Sequence, residues 1–168
     1  MAGAYLTDRQ RVELMVPSML LAVAVQDAQA ADGDDPETRE VCERCIRDLN
    51  EAIDALLPDL KRGDKLRRRA RRIRRRVLAP CHGADFGAVM LAIRLLIERL
   101  IAEGRIVLHA GSPFDQAWTR FIDALERSPE AEKLDTPERR GEADKLYRAM
   151  RRALAEQGVY TDWVEVVT

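Results

Sequence analysis

The chain has 168 residues, of which 46% are hydrophobic and 34% charged, with 9 Gly and 7 Pro. That is enough for one domain with a real core, and it excludes a disordered, collagen-like or low-complexity chain. Aromatic residues at 5% argue against an all-β sandwich. The 24 Arg against 4 Lys, with abundant Ala, read as a GC-rich bacterial or phage coding sequence.

The net charge of −1 hides a segregation. Residues 1–60 carry a net charge of −8, residues 61–80 a net +10 and residues 81–168 a net −3. Such asymmetry bears on partners and association rates rather than on fold. The longest uncharged run, Leu14 to Gln26, has 13 residues and contains Pro17. A membrane-spanning helix needs about 20 apolar residues. The run also follows Asp8, Arg9, Arg11 and Glu13, which does not suit a signal peptide. Three cysteines are too few for a disulfide scaffold. These features point to a cytoplasmic protein with no membrane partner.

Apolar spacing is helical almost throughout. A first helix is expected from Thr7, with Gln10 completing a capping box, to about Ala31. Pro17 lies inside it and should kink it, since the Glu13 carbonyl loses its helical partner. Asp32-Gly33-Asp34-Asp35 reads as a turn. A second helix takes Asp35 as N-cap and Pro36 as its first residue and ends at Pro58. Its apolar arc runs through Val41, Cys42, Cys45, Ile46, Leu49, Ala52, Ile53, Leu56 and Leu57. The third helix is expected from about Lys65 to Ala79, with Pro80 ending it. Its apolar stripe is narrow: Leu66, Ala70, Ile73 and Val77 lie within about 60° of one another by the helical period. Arg67, Arg68, Arg69, Arg71, Arg72, Arg74, Arg75 and Arg76 cover most of the remaining circumference.

The fourth helix, from near Asp85 to about Glu103, is apolar on nearly every side, and that places it at the centre of a bundle. Arg94, Glu98, Arg99 and Glu103 interrupt it at i,i+4 spacing. The fifth helix starts with Ser112 as N-cap and Pro113 after it. The sixth repeats that device with Thr136 and Pro137 and ends at Gly158. The tail from Val159 to Thr168 reads as a docking segment or a short extended piece. The sequence therefore predicts a single all-α domain of about six helices around a central apolar one, with one arginine-rich surface helix.

Few motifs carry chemistry. Cys42 and Cys45, with Cys81-His82, supply four residue types that bind zinc. Cys42 and Cys45 fall in the apolar arc of their helix, however, where free cysteine acts as a small hydrophobe. No strand precedes them, as a thioredoxin-like site requires. The two histidines, His82 and His109, sit next to helix ends, and neither belongs to a Glu-x-x-His or His-Glu-x-x-His pattern. No nucleophile elbow, phosphate-binding loop or dinucleotide fingerprint occurs. The expectation is a non-enzymatic protein with no cofactor and no metal.

The arginine helix is the unusual feature. Eight Arg fall in the ten residues 67–76. Arg67–Arg71, Arg68–Arg72, Arg71–Arg75 and Arg72–Arg76 are like-charge pairs at i,i+4, which destabilise a helix. No acid occurs from Lys65 to Pro80, so the counter-anion is expected from elsewhere. Three sources fit: nucleic acid or a nucleoprotein, an acidic protein surface, or the acidic N-terminal third of the chain itself. Arginine binds phosphate bidentately and suits backbone contact. The residues expected to contact the anion are Arg67, Arg68, Arg71, Arg72, Arg74, Arg75 and Arg76. A protein-interaction module, such as an accessory or phage-encoded inhibitor subunit, is the alternative. No aromatic residue lies between 61 and 85, so base stacking on this helix is not expected. The junction from Pro58 to Asp64 is slightly long for a helix-turn-helix.

Overall fold

The computed structural model describes residues 6–31, 34–127 and 136–160. Asp32 and Gly33 of the expected turn, and residues 161–168 of the tail, lie outside the described residues. Among the described residues six helices follow in order: α1 (Asp8–Ala31), α2 (Pro36–Asp54), α3 (Leu60–Leu78), α4 (Phe86–Ala102), α5 (Pro113–Arg127) and α6 (Pro137–Glu156). A 3-10 turn, Ala79–Cys81, joins α3 to the loop before α4, and no strand occurs among the described residues. The architecture is the all-α, single-domain bundle that the apolar periodicity predicts.

The helix starts are set by short side chains that satisfy free backbone N–H groups. The Gln10 N–H donates to Thr7 Oγ1 at 3.2 Å, and the Thr7 N–H donates to Gln10 Oε1 at 2.9 Å, closing the capping box. Asp35 accepts from the Thr38 N–H, Asp85 from Ala88, Ser112 from Asp115 and Thr136 from Arg139. At the other end of α6, Gly158 takes a positive φ of 70° and closes the helix.

α3 departs from expectation by one turn. It begins at Leu60, because Asp59 rather than a residue near Asp64 is the cap, accepting from the Arg62 N–H at 2.8 Å. Gly63 is then an interior helical residue, buried against Leu57. A Cβ there would lie 3.3 Å from the Leu57 Cβ, so the glycine permits a close approach. It extends the buried stripe to Gly63, Leu66, Ala70, Ile73 and Val77, with alternating spacings of three and four. The junction between α2 and α3 shortens accordingly. The two helices do not form a packed helix-turn-helix pair: α2 packs on α1 and α5, whereas α3 packs on α1 and α6.

The hub of the bundle is α1, not α4. α1 touches α2, α3, α4 and α5, whereas α4 packs chiefly on α6 and secondarily on α1. The reason is visible in burial: every residue from Met15 to Leu21 is buried. α4 has a similar apolar content, but Val89, Leu91, Leu95 and Ile101 remain partly exposed. Of the i,i+4 pairs expected on α4, Arg94 Nε donates to Glu98 at 2.9 Å. Glu103 instead joins Arg105 and Arg151. Burial pushes the Glu103 carboxyl up, but hydrogen bonds and charge from these two arginines outweigh it and hold it below its ordinary value.

Pro17 does not break α1. Its missing N–H leaves the Glu13 carbonyl unpaired within the helix, and the Tyr160 hydroxyl donates to that oxygen. The Tyr160 backbone N–H also donates to Glu13 Oε1 at 2.9 Å, and Arg9 Nε reaches the same oxygen at 3.1 Å. Glu13, only 2% exposed, is thereby a hydrogen-bonded and paired buried charge. Tyr160 adopts a positive φ of 62°, uncommon for a residue with a Cβ, and these two bonds hold it there. Tyr160→Phe keeps the ring and removes the donor to a buried acceptor. It should cost about 1–3 kcal/mol, and at about 2–4 °C per kcal/mol for a chain of this size the melting temperature should fall visibly. An unchanged melting temperature would show that the carbonyl finds another partner.

Candidate anion-binding interface

α3 is an edge helix. Its apolar stripe faces α1 and α6, and most of the rest of its surface is solvent-exposed. Burying Leu66, Ile73 and Val77 contributes about 1.5–3 kcal/mol each. The six like-charge pairs at i,i+4, the four between arginines together with Lys61–Lys65 and Lys65–Arg69, oppose this by about 0.2–0.5 kcal/mol each. Burial wins several-fold, so a narrow stripe suffices to hold a helix that repels itself.

Arg68, Arg69, Arg71, Arg72, Arg75 and Arg76 are exposed, and Arg67 and Arg74 are half-buried. Among the described residues the acidic N-terminal third, beyond the capping Asp59, forms ion pairs with α3 at two places only. Asp8 binds Arg62 near the start of the helix, and Asp54 accepts from Arg67 at 2.7 Å. The other seven arginines of the run have no carboxylate within ion-pair distance among the described residues. Elsewhere on the surface such charges are matched locally: Arg44 with Glu40, Arg127 with Asp123 and Arg148 with Asp144, all at i,i+4. Partial burial, then the charges of Arg71 and Arg75, pull the Arg74 pKa below its ordinary value. Arginine stays charged regardless; burial is the larger cause of the shift, and the neighbouring Arg71 and Arg75 charges add to it.

The structure thus brings together six of the seven arginines expected to contact an anion. Arg67 is the exception, since Asp54 already engages it. Arg69 is an addition: it is exposed and carries no ion pair among the described residues. Lys61 and Lys65 extend the exposed basic surface toward the helix start. The signal for Lys61 was the capping Asp59, which lengthens α3 by a turn; Lys65 and Arg69 already fell in the expected helix.

The cysteines and histidines are not brought together. Cys42 and Cys45 are buried in the face of α2, and the Cys45 thiol points at the Ala117 carbonyl of α5, 3.7 Å away. Cys81 sits in the 3-10 turn, while His82 and His109 are exposed in separate loops. Among the described residues no three His, Cys, Asp or Glu side chains converge to hold a metal. No helix of the described residues is long and apolar enough to cross a membrane.

No family model, curated protein or solved structure matches this chain.

Burial, and then the neighbouring Cys42, push the Cys45 thiol up to about 11. At pH 8 roughly a thousandth of it is then thiolate, the form that reacts. Alkylation of the folded protein at pH 8, followed by peptide mass spectrometry, should label half-buried Cys81 first and leave Cys45 unmodified until denaturant is added. Rapid labelling of Cys45 in the folded state would place α2 and α5 further apart than described.

Proposed function

We propose that the chain is a non-enzymatic binding protein that contacts nucleic acid, free or within a nucleoprotein, through the exposed arginine face of α3. The observation that carries this reading is the run of seven arginines without a carboxylate partner among the described residues. A helix that needed only solubility would gain from interspersed Glu, as at Glu40–Arg44 of α2. Guanidinium groups pair bidentately with phosphate oxygens, and a polyphosphate supplies many such partners at once. Contacts of this kind position a protein on a backbone without reading sequence, so the expected specificity is low. Such a protein would work as an accessory or inhibitory component on a nucleic-acid assembly. The bacterial or phage composition of the sequence fits that role.

A second reading is favoured by the acidic N-terminal third, with its net charge of −8, of which, among the described residues, only Asp8 and Asp54 form ion pairs with α3 beside the capping Asp59. In that reading the arginine helix grips an acidic protein surface and the chain acts as an interaction module. Dependence on nucleic acid separates the two. Binding to random-sequence DNA and RNA should be measured across a salt series, for the wild type and for a variant with Arg71, Arg72, Arg75 and Arg76 all changed to Ser. With about four phosphate contacts, log K should fall with log salt at a slope of roughly −3 to −4, and the variant should flatten it. A folded wild type that binds neither polymer at low salt sends the arginine face to a protein partner.

A further inference from the structure

The arginines of α3 are arranged on two flanks of an exposed crest. By the helical period, Arg68 and Arg75 lie nearly opposite the Leu66, Ala70, Ile73 and Val77 stripe. Arg71 and Arg74 lie on one side of that crest, and Arg72, Arg76 and Arg69 on the other. None of the seven is tied to a carboxylate among the described residues. A helix resting across the outside of one strand would use a single flank. Cations on both flanks are suited to a cleft with anionic walls on either side.

The dimensions select which cleft. An α-helix with its side chains is about 10–12 Å across, and the major groove of B-form DNA is about 12 Å wide. Its walls carry the phosphates of the two strands. The major groove of an A-form RNA duplex is too narrow and deep to be entered. Single strands are gripped by stacking their bases on aromatic side chains, and α3 contains none. Resting on the nucleic-acid reading above, we infer that α3 enters the major groove of B-form duplex DNA and holds the phosphates of both strands, one from each flank.

The test uses the full chain and three fluorescent probes of one random sequence: a DNA duplex of about two helical turns, the corresponding RNA duplex, and the single DNA strand. Anisotropy titrations across a salt series should show the DNA duplex bound at least about tenfold more tightly than the other two. Two paired variants probe the flanks, one with Arg71→Ser and Arg74→Ser, the other with Arg72→Ser and Arg76→Ser. Each should make the salt slope on the DNA duplex less negative by about 1.8, the value for two lost phosphate contacts. Circular dichroism checks that the variants remain helical, and Arg→Gln at the same positions replaces Ser if the helical signal falls. Equal or tighter binding of RNA duplex or single strand, or a slope changed by one pair only, overturns groove insertion and leaves the nucleic-acid reading standing. No binding of any probe by the folded wild type overturns both.

Discussion

α1 is the helix on which the bundle is assembled, and it carries a proline in its buried middle. An interior proline leaves one carbonyl unpaired, and a buried unpaired carbonyl is costly. Here the deficit is met from the far end of the chain, by the hydroxyl of Tyr160 on Glu13. The carboxylate of the same residue receives the Tyr160 N–H and the Arg9 guanidinium. The exit from α6 is thereby fixed against the start of α1, and α6 in turn packs on α4 and α3. With the middle of α1 buried on every side from Met15 to Leu21, α3 needs only a five-residue stripe to be seated on it and on α6.

That economy of contact makes the arginine face available. A helix buried over half its surface has no room for seven unpaired guanidinium groups. α3 buries one side at three-and-four spacing and presents the rest. Beyond Asp8, Asp54 and the capping Asp59, carboxylates of the first sixty residues are engaged away from α3. Asp48 holds Arg120 of α5, Glu40 holds Arg44, and Asp35 caps α2. Segregated charge in the sequence is thus segregated charge in space, and the electrostatic demand of α3 points outward.

Much of this was legible in the sequence because helices announce themselves locally. Thr7 with Gln10, Asp35 with Pro36, Ser112 with Pro113 and Thr136 with Pro137 are short-range signals, and each marks a helix start in the structure. The α3 stripe was equally readable, since its period is local. The start of α3 at Leu60 rather than near Lys65 turns on Gly63, a residue that weakens a helical pattern locally. Its role is tertiary, a close approach to Leu57, and no local pattern encodes that. The exchange of the central place from α4 to α1 has the same origin. Both helices are apolar nearly all round, and only the packing of α6 on α4 and of three other helices on α1 separates them. For the site, the arginine run itself was evident. Its division into Arg67, held by Asp54, and free neighbours including Arg69 depends on how α2 and α3 approach, which charge counting does not contain.

The central claim is that the charge on α3 is uncompensated within the folded chain. It is tested most directly by thermal unfolding of the protein alone, with Arg71, Arg72, Arg75 and Arg76 changed to Gln, a residue of similar helix propensity. If the claim holds, the variant melts a few degrees above the wild type at low salt, because about 1–2 kcal/mol of repulsion is removed. The difference should shrink as salt screens the charges. A variant that melts below the wild type at low salt would mean that these arginines hold partners inside the fold, and the account would fail.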